Sequence, residues 1–304
     1  MDGSVRQARA ADEAAVADFA AATWADREVT DYIPDVFAEW VATDGPDQRT
    51  FVYDGDEGVV GVCQGVLLTA DEAWAQGIRV DPAVRGAGVG TALTEPVFDW
   101  ARERGATVCR NLVFSWNDAG LGQSRATGFA PVTEFRFVHP EPDADAETDA
   151  EGADDLTVEH DPAAVWRGWQ GSPAERHLHG LGLDPAETWA LSEVTRERVH
   201  ELADEEWVAT VRDDDGTRAA TARVRTYESS DGTRYAEYGF TAWTDLPAAR
   251  SLFAAIRRDA GRLGVDETRV LVPEKPRHVS DAAVARVDVA DHPEFVFAAD
   301  LTGR

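Results

Sequence analysis

Lysine and methionine each occur once in these 304 residues, cysteine twice, and histidine not at all before position 139. Each scarcity removes a class of chemistry. The single lysine, Lys275, is followed by Pro276, so no Gly-Lys-Ser/Thr phosphate loop exists for a nucleoside triphosphate. With no imidazole in the first 138 residues, a serine there lacks the base that hydrolytic chemistry requires. His177-Leu-His179 offers two metal ligands, but no third partner stands at a sensible spacing, so no metal is expected. Long apolar runs are also missing. None approaches the ~20 residues of a membrane helix, and the opening Met-Asp-Gly-Ser-Val-Arg lacks a basic region followed by an apolar one. The reading is a soluble, cytoplasmic protein with no membrane partner.

Basic residues are outnumbered as well: 57 acids face 29 bases, for a formal net charge of −28. The excess is spread along the chain, −11 over residues 1–138, −8 over 139–156 and −9 over 157–304. No basic face remains to neutralise phosphates, which excludes duplex nucleic acid as an expected partner. A uniform acidic excess with a single lysine predicts adaptation to high salt, where charge is screened and carboxylates keep the chain soluble. Cys63 and Cys109 fall in predicted strands flanking the strand that holds Ile78, on opposite sides. Neighbouring strands lie ~4.8 Å apart, so these thiols would stand ~9 to 10 Å from each other, too far for a disulfide.

What is present centres on residues 77–91, Gly-Ile-Arg-Val-Asp-Pro-Ala-Val-Arg-Gly-Ala-Gly-Val-Gly-Thr, which read as a strand, a proline turn and a glycine-rich helix entry. The first N–H groups of a helix have no internal partner and carry roughly half a positive charge, so such an entry attracts phosphate oxygens. Absent Cβ atoms at Gly86, Gly88 and Gly90 would let a pyrophosphate approach, and Arg85 would add a donor at the rim. The glycine spacing fits no dinucleotide fingerprint: Thr91 follows one frame and Leu93 the other.

Arg85-x-x-Gly88-x-Gly90 resembles the acyl-coenzyme-A loop of the GNAT N-acetyltransferases. The order downstream is similar to that family too. A helix runs to about Arg104 and stops at Gly105, a strand follows over 107–114, then come Asn117 and Gly128-Phe129. One position departs, since Ser124 stands where the family has Tyr. The resemblance implies acetyl-CoA as co-substrate, held by Ile78, Arg79, Val80, Arg85, Gly86, Ala87, Gly88, Val89, Gly90, Thr91 and Asn117. It implies N-acetyl transfer to a primary amine of a small molecule or peptide. A protonated amine cannot attack a thioester, so a base is needed; Glu72, Asp71, Asp31, Asp35 and Glu134 are candidates. Backbone N–H groups of residues 78–80 would polarise the carbonyl. Ser124 would take the place of the acid, although a thiolate leaves without much help. The alternative is a non-catalytic acyl-CoA-binding sensor or interaction module.

Around this centre, Val16, Phe19 and Ala20 give an early helix its buried stripe, and residues 23–37, with Trp24 and Tyr32, either grip the acceptor, as the resemblance implies, or belong to the core. Residues 51–53 and 59–68 flank Asp54-Gly-Asp-Glu-Gly as a hairpin, and 73–80 form the next strand. Pro96 inside the loop helix predicts a kink. Residues 139–155 hold no apolar side chain larger than alanine, and 139–156 read as a self-repelling linker. Beyond them landmarks recur. Asp54-Gly55 returns as Asp215-Gly216 at an offset of 161, and Gly105 as Gly264 at 159. A near-constant offset predicts a duplicated fold. The second copy has Asp245-Leu-Pro where the glycine loop should recur, so it would not hold a cofactor. The expected architecture is α/β (α+β): a cofactor domain over 1–138, the linker, and a degenerate copy over 157–304, each a largely antiparallel sheet flanked by helices.

Overall fold

In the computed structural model the described residues are 3–24, 31–56, 58–147 and 155–303. They divide into two compact units, the first made of Met1–Val113, Asn117–Pro131 and Val296–Arg304, the second of Phe114–Trp116 and Val132–Phe295.

The first unit begins with β1 (Gly3–Gln7), followed by α1 (Glu13–Ala21) and α2 (Ile33–Thr43). Then come β2 (Gln48–Gly55), β3 (Gly58–Leu67) and β4 (Glu72–Val80). Strands β1 to β4 pair antiparallel in sequence order. Helix α3 (Val89–Arg102) leads to β5 (Val108–Phe114), which pairs parallel with β4, and α4 (Asp118–Ala126) follows. Val16, Phe19 and Ala20 of α1 bury against Ile33 and Phe37 of α2 over Val52 and Val62. On α3, Leu93, Val97, Trp100 and Ala101 are buried. This helix sits close to the sheet because β3 presents glycine to it: a Cβ at Gly61 would lie 2.9 Å from Leu93, and one at Gly65 3.0 Å from Val97. α3 runs unbroken through Pro96. The carbonyl of Gly90 is bonded by the Thr94 hydroxyl at 3.0 Å.

The second unit contains β6 (Ala130–His139) except for its first two residues, then β7 (Thr157–Glu159), α5 (Pro162–Trp169), α6 (Pro173–Leu178) and the ribbon of β8 (Leu181–Leu183) and β9 (Leu191–Glu193). After α7 (Arg196–Glu205) come β10 (Trp207–Asp213), β11 (Gly216–Glu228) and β12 (Arg234–Trp243), antiparallel in order. The chain ends with α8 (Leu246–Leu263), β13 (Glu267–Pro273), α9 (Pro276–Val284), β14 (Asp288–Val289) and β15 (Glu294–Asp300). β12 and β13 pair parallel, as β4 and β5 do. The two landmarks that suggested duplication stand at equivalent places: Asp54-Gly55 and Asp215-Gly216 close hairpins, Gly105 and Gly264 follow the long helices with φ of 97° and 66°.

Two sequence expectations need correction. The halves do not separate at 138: β6 pairs with β13 inside the second unit, and residues 296–304 return to the first. Strand pairing made far apart in sequence decides this, and no local pattern announces it. Nor are residues 139–147 a solvated tether. Ala146 is buried, the Asp143 N–H donates to the Arg257 carbonyl, and Arg258 donates to the Ala146 carbonyl. A Cβ at Gly261 of α8 would strike the backbone of Ala144. Small residues suffice here because they dock over a glycine notch, with their backbone groups bonded to α8. Residues 148–154 lie outside the described residues. Both cysteines are free and buried, and burial pushes the Cys63 thiol up to about 12.

Candidate active site

The site follows from a parallel pair that parts. β4 and β5 are in register only over Glu72–Val108, Ala73–Cys109 and Trp74–Arg110. Beyond Trp74, β4 continues to Val80 bonded on its other side to β3, with a shift that sets Gly77 and Ile78 against Cys63 alone. Gly77 has φ of 62° and carries the Trp40 ring against its Cα, where a Cβ would collide. Only glycine tolerates both conditions. The bulge turns Ile78, Arg79 and Val80 along the open side of the split.

From Val80 the chain enters a short 3₁₀ turn, Pro82–Val84, where the Asp81 carboxylate accepts from the Ala83 N–H at 2.8 Å. Gly86 and Gly88 then hold φ of 81° and 86°, and Gly88 caps α3. Arg85, Gly86, Ala87, Gly88 and Thr91 are exposed, whereas the Val89 side chain is buried beneath them. A Cβ at Gly86 or Gly88 would meet nothing within 4 Å. The glycines are therefore required by backbone conformation, and the space around them is open. Gly90 has another reason, the Gln123 side chain 3.2 Å from its would-be Cβ. The loop thus delivers the unpaired N–H groups and dipole of a fourteen-residue helix to an open surface. Arg85 stands beside it, donating to the Thr23 carbonyl at 3.2 Å.

Asn117 lies at the N-cap of α4, where its side-chain oxygen accepts from the Gly120 N–H at 3.0 Å. Ser124 is buried, and its hydroxyl accepts from the Asn111 amide at 3.0 Å. A serine in place of a long phenol therefore turns into the core. Of the carboxylates considered as bases, Glu72 is buried in an ion pair with Arg110 at the closed end of the strands. Asp71 is exposed in the turn before β4, and Asp35 is exposed in the first turn of α2. Glu134 belongs to the second unit. Asp31 is nearly inaccessible. It accepts from Arg79 at 2.6 Å and from the Ile33 N–H at 3.0 Å, while the Arg79 guanidinium lies 4.3 Å from the Trp24 ring and 5.6 Å from that of Tyr32. The stretch expected to grip an acceptor is thus tied to β4 by a shielded ion pair; its residues 25–30 lie outside the described residues.

Sequence reasoning missed these pairings because partners 38 and 48 positions apart leave no local signal. It also missed a polar chain beside the split, in which Gln76 donates to Gln64 at 2.8 Å and Gln64 to Thr50 at 3.2 Å. In the second unit the corresponding places carry other contacts. The Thr241 hydroxyl donates to the Leu271 carbonyl at 2.7 Å, between β12 and β13, past their last registered pair. The Asp245 carboxylate caps α8 by accepting from the Ala248 N–H, and Arg218 binds it. Among the described residues no group of His, Cys, Asp and Glu could hold a metal ion, and no helix is long and apolar enough to cross a membrane.

Residues 13–129 match the sequence profile of the acetyltransferase (GNAT) family. No curated protein matches the chain. Among solved structures, a GNAT N-acetyltransferase from Sphaerobacter thermophilus is 16% identical with a TM-score of 0.66, over 98% of this chain and 96% of that one. A putative acetyltransferase from Thermoplasma acidophilum is 16% identical with a TM-score of 0.57, over 97% and 99%. A tandem GNAT protein of the clavulanic acid biosynthesis pathway is 13% identical with a TM-score of 0.54, over 100% and 99%. Residues 13–129 are thus similar to the acetyltransferase (GNAT) family, and the whole chain shares its fold with a tandem GNAT protein.

Proposed function

We propose that this protein transfers the acetyl group of acetyl-CoA to a primary amine of a small molecule or peptide, and that the first unit alone holds the cofactor. The observation that carries this reading is the parting of β4 from β5 directly ahead of a glycine turn on the N-terminus of α3. The turn and the Arg85 guanidinium are placed for a diphosphate, and the Asn117 amide, with its oxygen spent on the cap, has an N–H₂ to offer the pantetheine arm. The open side of residues 78–80 would orient the thioester and polarise its carbonyl.

The amine attacks that carbonyl, a C–N bond forms, the C–S bond breaks, and the thiolate leaves with the electron pair. Asp31 and Glu72 are each neutralised by an arginine, so we assign them to positioning; the amine loses its proton to water. The Asp245 cap at α8 would repel a pyrophosphate, which supports a second unit that shapes the protein without binding the cofactor. The even acidity supports a cytoplasm of high salt as its setting.

Gly88→Glu tests the reading. It forces a side chain into a left-handed position and sets a carboxylate on the loop. Calorimetry should show one acetyl-CoA per chain in the native protein and a loss of at least tenfold in affinity in the variant, with its melting transition retained. Two equivalents per chain would refute it. The buried Ser124 favours a second reading, a module that binds acyl-CoA without transfer. Thiol release across a panel of amines at high salt separates the two.

A further inference from the structure

A pocket of about 450 Å³ opens in the second unit between the start of β6, helix α6 and the turn after β13. Thr133, Glu134, Arg176, His177, His179 and Lys275 line it. Its charge runs against the rest of the molecule: a chain with twice as many acids as bases gathers here its only lysine, an arginine and two imidazoles around one carboxylate. The volume is in the range of small-molecule sites.

The basic groups come from two segments, and hydrogen bonds fix each. The Thr133 hydroxyl donates to the His177 carbonyl at 2.7 Å, pinning the last turn of α6 to β6. His177 sets Nε2 2.9 Å from the Glu134 carbonyl and 3.6 Å from its carboxylate, so that nitrogen carries a hydrogen and offsets part of the Glu134 charge. Arg176 donates to the Gly171 carbonyl. His179 ends α6 at φ 54°, ψ 37°, a position usually given to glycine, at a cost of about 1 kcal/mol. The strained backbone sets an imidazole at the pocket wall. Lys275 caps α9, its own N–H held by the Pro273 carbonyl at 2.8 Å.

We propose that this pocket binds a small molecule through a doubly negative group, a phosphate monoester or a dicarboxylate. Two positive side chains outweigh Glu134, and two imidazoles add ring nitrogens to the set of groups that can meet an anion. The site is independent of acyl transfer in the first unit and stands or falls without it.

The test titrates inorganic phosphate and, separately, succinate into the full-length Gly88→Glu protein, whose α3 loop no longer competes for anions. Calorimetry should show one saturable site per chain. Lys275→Glu and Arg176→Glu, each added to that background, should weaken it at least tenfold, and Lys275→Arg should keep it; melting curves confirm folding. Tighter binding of phosphate identifies a phosphate monoester as the natural group, tighter binding of succinate a dicarboxylate. No binding of either at millimolar concentration, or binding that Lys275→Glu leaves unchanged, overturns the proposal.

Discussion

At the scale of single residues, Glu294 and His278 hold charge states set by burial. The Glu294 Oε2 atom is buried without a hydrogen-bond partner among the described residues, because the neighbouring Arg136 spends its donors on Glu274 and on the Ala290 and Asp291 carbonyls. Burial pushes this carboxyl up to about 8, against the pull of Arg136. Its contribution to stability is complete below the unfolded value of about 4.5 and is lost as pH rises through about 8, since the folded state binds the proton more tightly. His278 runs the other way. Burial, and then the charges of Arg277 and Lys275, lower it to about 4, so its contribution is complete above 6.5 and is lost as pH falls through 4. Glu294→Gln should flatten the alkaline limb of stability against pH, and His278→Phe the acid limb, both read by denaturant melts between pH 4 and 9. The Asp31–Arg79 pair gives a further expectation. Asp31→Ala strands a guanidinium whose side chain is only 10% exposed, a loss of about 3 kcal/mol, whereas Asp31→Leu combined with Arg79→Met should cost clearly less in the same melts.

At the scale of elements, what was legible had a local cause. Glycine at 86 and 88 has no substitute where φ is positive, so the strand, turn and helix entry could be placed from sequence. The hairpin at Asp54-Gly55 and its later copy were equally visible, as was the strand order that puts Cys63 and Cys109 on either side of β4. The docked stretch 139–147 was not, because its fit depends on Gly261, more than a hundred residues away. Ser124 showed only that the phenol was gone; that its hydroxyl faces Asn111 needed the fold. The N-terminus of α8 illustrates a sequence difference with a testable energy. Asp245 accepts from Ala248 and pairs with Arg218, so Asp245→Ala should cost roughly 1 to 2 kcal/mol by thermal or urea melts. It should create no second cofactor site in calorimetry, because the glycine turn is still absent.

At the scale of the whole molecule, a net charge of −28 on 304 residues makes self-repulsion a general term. Screening lengths fall from about 10 Å at 0.1 M salt to about 3 Å at 1 M. The melting temperature should therefore climb from low to molar KCl, and a flat or falling curve would contradict this account of the acidity. Strand β15 raises a different matter, that of time. The first unit is built from residues 1–113 and 117–131 together with residues 296–304, and its sheet takes β15 beside β5. A ribosome working at roughly 5 to 20 residues per second needs on the order of ten seconds or more to write the intervening stretch, during which β5 has no final neighbour. A chain ending at residue 293 should accordingly come off with that edge bare, aggregate, and fail to hold acetyl-CoA, as sedimentation and calorimetry would show. Synthesis itself then acts as a proofreader: the unit that carries the glycine loop is completed only once residues 296–300 have been made, so a message broken before them should yield no working fragment of it.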